Sequence, residues 1–586
     1  MPANVGLAPV LLSVPPFVPH DLVLGTVSVA WSGIEPRVLD CRDEPVIRSV
    51  WEERIGDTFW APDALAQRAT ILCVPTNLKA AEALWATAKT GRLASAMVVI
   101  FPDRSRHWHA LRARVLADGG AVVCQPVNPF SLLEQARDIL TMPGAIQPLA
   151  ALGAMAGLPL WILDPFGRWP SAPDADARGQ AAALLLDATQ YRCPFTGKAL
   201  SVQDAVGLLI EWRDIMRRNR AVPVCVGMAW WKRNRIGDFF ATADTRRPKP
   251  LFRRDAKLAV SVARRLRGRV AVWSTRMPGR LEQYARMAGV GVCRVEDGFI
   301  RSAGLGSGLL PPASIVVDTS GIYYDPTGPS DLETLLESHP LGPDLQLRAG
   351  RLVDRMISEG VSKYALGGAV PDLAAPPGRK IVLVPGQVAD DLSVVLGGAG
   401  TDGNLGLLRQ VRASEPEAYI VYRPHPDVDA GHRSGTIPDA VVLRFADCIC
   451  REGAMARLLD IVHEVHTLTS LTGFEALMRR KPVTTYGQPF YAGWGLTHDR
   501  APVARRTRCL NMEQLAAATL LLYPRYIDPL TRMPCGPEIL VGRFGEAELW
   551  RPSLLMRLRR HQGTLVKAIR KGGQSVFRRL SPHRGF

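Results

Sequence analysis

The sequence predicts an α/β protein whose main part is two Rossmann-like lobes facing across a cleft. Three observations carry this. Strand-like apolar runs alternate with helical ones along the chain, the pattern of α/β units around parallel sheets. A Gly/Ala/Pro-rich stretch, LGGAVPDLAAPPGRK at 366–380, reads as an interdomain linker that splits residues 215–540 into two halves. Each half opens on a run resembling a buried strand, AVPVCVG at 221–227 and KIVLVPG at 380–386. The expected bounds are 215–366 for the first lobe and 378–545 for the second.

Taken in order, the chain begins with a region, 1–210, that echoes the end of the second lobe. DILTMPGAIQPLAALGAMAGLPLWILDPFGRW (138–169) follows the apolar pattern of DIVHEVHTLTSLTGFEALMRRKPVTTYGQPFYAGW (460–494). Tyr191-x-x-Pro194-x-Thr196 likewise echoes Tyr526-x-x-Pro529-x-Thr531. The later copy carries Thr469, Ser470, Thr472 and Glu475 where the earlier has almost only Ala, Leu and Gly. This reads as a degenerate half-repeat that keeps core periodicity and lacks polar site groups. In the first lobe, GRVAVW (268–273) and SIVVD (314–318) are strand candidates, with helices over 254–268 and 278–289. EAYIVYRP (417–424), AVVLRF (440–445) and KPVTTY (481–486) are the strand candidates of the second lobe.

At 586 residues, with 47% apolar and 22% charged, the chain exceeds one domain and has ample material for buried cores. Its ten cysteines are scattered without a C-x-x-C pair, which argues against a zinc cluster or disulfide framework and for reduced thiols in the cytoplasm. The first 36 residues hold no Lys or Arg, and prolines break the apolar run, so a secretory signal is not expected. No apolar stretch is long enough to span a bilayer. The net charge is +17, but ten basic residues and no acidic one lie between Arg551 and the C terminus. Leu554, Leu558, Leu565, Ile569 and their neighbours give this tail (550–586) a partly amphipathic spacing. It suits the anionic face of the inner membrane, or else docks on the body as a solvated tail. Nucleic acid is not expected as a partner, since no aromatic-basic stacking motif accompanies the charge.

Five segments could carry chemistry. In Val295-Glu296-Asp297-Gly298-Phe299-Ile300-Arg301, adjacent carboxylates end a strand-like run, where α/β sheets place their ligands. Asp297, with Glu296 beside it, could deprotonate an acceptor or attack an anomeric carbon; a turn-capping acid is the plainer reading. Gly321–Glu333 contains Tyr324 and Asp325, which could line a cleft rim, and Ser330 with Glu333 at capping-box spacing. In Tyr422-Arg423-Pro424-His425-Pro426-Asp427, prolines fix the backbone around an imidazole at a strand end, where it could donate to a phosphate. Asp427 and Asp429 follow a proline rather than a strand end, so no metal is expected. Thr467–Leu477 is a hydroxyl-rich loop feeding a helix; Ser470 and Thr472 could bind phosphate or simply cap. Gly487–Thr497, with Tyr491 and Trp494, could shape a pocket or pack between the lobes.

In combination, EDGFIRSAGLG, GIYYDPTGPSDLE, VLVPGQVADD, YRPHPD, TSLTGFEAL and GQPFYAGWGLT, in that order, resemble the bacterial capsule polysaccharide biosynthesis and export family, whose members are β-Kdo transferases. The likeness covers roughly 220–545. It implies a GT-B-like fold, CMP-Kdo as donor without a cofactor, a lipid-linked Kdo acceptor at the inner-membrane surface, and the capsule export machinery as partner. It makes Asp297 the catalytic carboxylate of a retaining enzyme, in the acceptor-side lobe with Arg301, Tyr324 and Asp325. His425, Pro426, Ser470, Thr472, Gly473, Glu475 and Gln387 become the donor site, with Asp391, Tyr491 and Trp494 beside the cleft. Many relatives carry two complete modules. Here only one is complete, so a single linkage is expected. The rival readings are a non-catalytic export scaffold and a CMP-sialic acid transferase.

Overall fold

A computed structural model describes residues 7–17, 21–64, 71–90, 96–99, 106–123, 126–144, 146–164, 166–244, 247–302, 310–362 and 369–550. The basic tail from Arg551 onward and the Gly304-Leu305-Gly306 run lie outside the described residues. The chain divides into two units, residues 1–220 with 240–249, and 221–239 with 250–586.

The first unit contains β1 (Gly25–Val27), β2 (Ile71–Cys73), β3 (Ala96–Val99), β4 (Ala121–Val123), β5 (Asp138–Thr141), β6 (Leu160–Ile162) and β7 (Thr189–Tyr191). Five of these form a parallel sheet in the order β4-β3-β2-β5-β6, while β1 pairs antiparallel with β7. Ile71, Leu84, Trp85, Leu111, Val115 and Leu140 pack into a core on this sheet.

The second unit holds two sheets. Its first lobe is built on β8 (Val224–Val226), β9 (Leu251–Arg253), β10 (Val270–Trp273), β11 (Val292–Asp297) and β12 (Ser314–Asp318). The second lobe has β13 (Ile381–Pro385), β14 (Tyr419–Arg423), β15 (Cys448–Ile449), β16 (Glu464–Thr467), β17 (Val483–Thr485) and β18 (His498–Asp499), all parallel. Finally β19 (Pro524–Ile527) and β20 (Pro534–Cys535) return to extend the first-lobe sheet, ordered β20-β19-β12-β11-β10-β8-β9. This is the GT-B-like arrangement of two Rossmann-like lobes.

Strand order places the site. The second-lobe sheet runs β15-β14-β13-β16-β17-β18, so the chain leaves central β13 to one side and returns to the other at β16. The crevice outside the carboxyl ends of β13 and β16 is the topological switch point, where open α/β sheets bind ligands. Gly386 and Gln387 follow β13, and Thr469 and Ser470 follow β16.

The same five-strand order recurs in the first unit, with β5, the helix Pro148–Met155 and β6 at the places of β16, the helix Leu471–Met478 and β17. The echo continues further. A wide π-type turn precedes β7 as one precedes β19, and Tyr191 Oη donates to Leu185 O (2.9 Å) as Tyr526 Oη donates to Leu520 O (2.7 Å). What differs is polarity. Leu149–Met155 is buried throughout, and Gln147 gives that helix no side-chain cap, whereas Ser470 caps its counterpart.

One expectation needs correcting, and one strand was not foreseen. AVVLRF is not a strand: Pro438 opens a single helical turn, Asp439–Val442, and Leu443 is exposed, so the run lacks the alternating burial of a sheet. Conversely, Glu-Val-His-Thr at 464–467 is a wholly buried central strand despite its polar residues. Glu464 accepts from His466 Nε2 (2.9 Å) and Thr484 Oγ1 (3.0 Å), and Lys380 Nζ stands 2.6 Å away. The hydrogen bonds from His466 and then Lys380, against the opposing effect of burial, pull the Glu464 carboxyl from 4.5 down to about 2. A carboxyl depressed on folding stabilises the native state above its unfolded value and loses that contribution as pH falls through the folded one. The protein should therefore lose stability between pH 4.5 and about 2, and Glu464→Gln should flatten this limb in pH-dependent thermal melts.

Candidate active site

The two lobes of the second unit enclose a cavity of about 870 Å³ at the switch point, and Glu296, Asp297 and Tyr324 line it from the first lobe. Asp297 is the last residue of β11, so the strand delivers its carboxylate to the cavity wall. Gly298 is required next: a Cβ there would stand 2.3 Å from Ser314 Oγ on neighbouring β12. Two cations hold the carboxylate. Lys232 Nζ lies 3.1 and 3.3 Å from its oxygens, and Arg301 Nε pairs with Oδ2 at 2.9 Å. The Lys232 ammonium rests 3.6 Å above the Trp273 ring. Burial lowers the Lys232 pKa, and Asp297 and Glu296 oppose that by favouring the charged form. Tyr324 Oη donates to Ser274 Oγ (2.7 Å), and burial pushes its phenol up to about 12, which keeps it a neutral donor.

From the second lobe, Gln387, Asp391, His425, Pro426, Ser470, Thr472 and Glu475 reach the same cavity. Pro424 and Pro426 clamp the backbone so that His425 starts a short helix, its Nδ1 accepting from Asp427 N (3.2 Å). A ring nitrogen that accepts a backbone N–H carries no proton, so the proton sits on Nε2. Ser470 caps the helix Leu471–Met478 by accepting from Thr472 N (3.2 Å). The helix starts at the cavity wall, and the positive end of its dipole favours an anion there. Gln387 works as a staple: its Nε2 donates to Thr469 Oγ1 (2.9 Å) and its Oε1 accepts from Thr469 N (3.0 Å). It thereby ties the end of β13 to the loop after β16. Asp391 caps the next short helix, accepting from Ser393 N (3.0 Å).

The structure brings Asp297 and His425 to one cavity, but it removes five expected residues from the wall. Trp494 is fully buried and donates through Nε1 to Phe490 O (2.8 Å). Tyr491 is fully buried too, its Oη donating to Ser470 O (2.5 Å). Gly473 serves that packing, since a Cβ there would lie 2.2 Å from Tyr491 Oη. Asp325 closes its own turn by accepting from Thr327 N (3.0 Å) and Oγ1 (2.6 Å). Arg301 lies behind Asp297, not out in the cleft, with 1% of its side chain exposed. Asp429 does not meet Asp427 in a shared site but pairs with Arg451 at 2.9 Å.

Sequence reasoning missed Lys232. Its signal was present: a charged residue after two tryptophans, just beyond the end of β8. It missed Arg433 as well, which lines the cavity mouth and pairs with Asp390 at 3.2 Å.

Comparison with known proteins gives these features a family. A family model described as "Capsule polysaccharide biosynthesis protein" matches residues 269–353 and 355–526. "Capsule polysaccharide modification protein LipA" of Neisseria meningitidis serogroup A is 40% identical over 359 residues, 61% of this chain and 50% of that protein. "Lipopolysaccharide-processing protein LpsZ" of Rhizobium meliloti is 46% identical over 248 residues, 42% of this chain and 56% of that protein. The chain thus spans about half the length of these curated relatives. Two solved structures from Thermosulfurimonas dismutans are also similar. "KpsC, beta Kdo 2,7 transferase" is 35% identical, with 56% of this chain and 99% of that chain covered and a TM-score of 0.45. "KpsC, beta Kdo 2,4 transferase" is 32% identical, with coverage of 55% and 98% and a TM-score of 0.48. On the family match and the identity over nearly the whole of a solved relative, the chain belongs to the capsule polysaccharide biosynthesis protein family.

Proposed function

We propose that this chain is a glycosyltransferase that moves Kdo from CMP-Kdo onto a lipid-linked Kdo acceptor, forming part of the β-Kdo linker of a capsular polysaccharide. The observation that carries the reading is the shared cavity: a strand-end carboxylate, Asp297, on one wall, and an imidazole with a helix N terminus, His425 and Ser470, on the other. The second wall suits the phosphate of CMP, since Nε2–H of His425 donates to an anion and the positive end of the helix Leu471–Met478 favours one. Ser470 and Thr472 add hydroxyls, and Glu475 offers an acceptor for the nucleoside. No metal is assigned a role in this reading.

In the retaining route, an Asp297 oxygen attacks the anomeric carbon while the bond from that carbon to the phosphate oxygen breaks. CMP departs with the electron pair, its new charge met by His425 and the helix end. The acceptor hydroxyl then attacks the same carbon, the Asp297 ester bond breaks, and the hydroxyl proton passes to solvent. Lys232 and Arg301 fix the carboxylate on line and accept its charge when it is released. One complete cavity in the second unit supports one kind of linkage. The family resemblance and the basic tail support work at the anionic inner-membrane surface; among the described residues no helix is long and apolar enough to cross a membrane.

The test is a donor screen with purified full-length protein, a Kdo-terminated acceptor, and CMP-Kdo, CMP-sialic acid or UDP-sugars. CMP release and a β-configured product by NMR are expected only with CMP-Kdo. Product from CMP-sialic acid would transfer the assignment to that sugar, and no CMP release from any donor would leave a scaffold. His425→Ala should weaken CMP binding about tenfold or more, the worth of one charge-assisted hydrogen bond, and should slow transfer as well. Calorimetric titration with CMP checks the first part.

A further inference from the structure

A second chamber of about 330 Å³ adjoins the first and shares Thr275, Asp297 and Arg433 with it. The Asp297 carboxylate therefore stands at a junction, with His425, Ser470 and Thr472 on one side and this chamber on the other. Apart from Arg433, the side chamber takes its walls from the first lobe. Its volume is at the small end for a ligand pocket, sized for one ring and not for a nucleotide.

The lining is strongly cationic. Lys232, Arg276 and Arg433 line the chamber, with buried Arg301 behind them, against the single carboxylate of Asp297. Lys232 and Arg301 are committed to Asp297, and Arg433 shares Asp390 at 3.2 Å. Arg276 is exposed and forms no ion pair with a carboxylate among the described residues. Two indoles complete the walls. One face of Trp273 is covered by the Lys232 ammonium, while Trp231 is half-buried, its ring 5.3 Å from the same ammonium. A ring surface beside the uncommitted Arg276 and the shared Arg433 is suited to a flat, partly apolar ligand that carries negative charge.

We propose that this side chamber is the acceptor subsite and that it selects an acceptor sugar bearing an anionic group, stacked on Trp231 and read by Arg276 with Arg433. The proposal rests on the glycosyltransferase reading for its partner sugar, but it concerns binding and is tested as binding. An acceptor seated here presents a hydroxyl to the face of Asp297 that lies away from the phosphate groups of the donor.

The experiment is calorimetric titration of CMP-saturated full-length protein with a methyl glycoside of Kdo and with the methyl ester of that glycoside, which differs by one negative charge. The acid should bind wild type roughly tenfold or more tighter than the ester, as a charge-assisted contact gives. Arg276→Gln should reduce the preference for the acid several-fold, Arg433 keeping the rest, while CMP affinity, measured in the same instrument, stays at the wild-type value. Trp231→Ala should weaken both ligands together. Equal binding of acid and ester to wild type, or an undiminished preference in Arg276→Gln, would overturn the subsite. Failure of the donor assignment would show separately, as absent CMP release from CMP-Kdo by a protein that still discriminates acid from ester.

Discussion

Asp297→Asn abolishes transfer, lowering turnover by about 10³-fold or more as expected when the attacking or proton-accepting group is lost, while CMP binds with nearly unchanged affinity. The amide keeps the shape at the end of β11 but neither attacks the anomeric carbon nor carries the charge. The groups proposed to bind CMP sit on the other lobe, around His425 and Ser470, and are untouched. The substitution also leaves Lys232 and Arg301 beside a neutral group, and cations buried without their anion are costly. A thermal melt belongs with the assay: a folded, CMP-binding, inactive Asp297→Asn supports the role, whereas wild-type turnover removes Asp297 from the chemistry. Single-turnover mass spectrometry of wild type with CMP-Kdo and no acceptor provides the complementary reading. A sugar adduct on the peptide containing Asp297 is expected for the retaining route and should be missing from the variant.

How much of this was legible beforehand depended on whether a residue's role is set locally. Asp297 was readable because a carboxylate at a strand end followed by glycine is a local pattern, and so was His425 between its prolines. Lys232 was not, since its meaning comes from a partner 65 residues away. Tyr491 and Trp494 misled for the opposite reason: an aromatic loop rich in glycine has the same sequence whether its rings line a pocket or pack beneath it. Only the burial of both rings, and the 2.2 Å approach that Gly473 would otherwise suffer from Tyr491, decides it. The β16 strand is not legible in the sequence because Glu464 and His466 break the apolar pattern, and their partners Lys380, Thr484 and Tyr486 lie elsewhere in the chain. The half-repeat could be seen as a pattern of apolar spacing. Its extension to the π-type turn and the paired tyrosines could not, because those depend on backbone geometry.

Glu333 is the most instructive case, and it leads to the second large effect. Its spacing from Ser330 fits a capping box, and half of one forms: Glu333 N donates to Ser330 Oγ at 3.1 Å. The carboxylate does not complete the box. It crosses to the second lobe, where Arg505 binds it and Arg506 Nε donates to Oε2 at 2.9 Å. Arg506, with 3% of its side chain exposed, also donates through Nη1 to Pro489 O (2.6 Å) and Ala492 O (2.7 Å). One guanidinium thus fastens the helix Asp331–Ser338 of the first lobe to the loop whose Pro489 and Phe490 line the cavity. Arg506→Ala strands a buried carboxylate with Arg505 alone and leaves two buried carbonyls without their donor. It should cost about 3–5 kcal/mol of stability, the range for breaking one partner of a buried pair. Urea unfolding followed by tryptophan fluorescence measures it, and a loss under about 1 kcal/mol would place the lock in the class of surface pairs. Arg506→Lys keeps the charge but not the fork, so it should recover only part of the loss. Because the same bonds hold Pro489, CMP affinity should fall with stability in both variants, and in Arg506→Lys by less. A variant that is destabilised yet binds CMP as wild type would show that the loop keeps its shape without the lock.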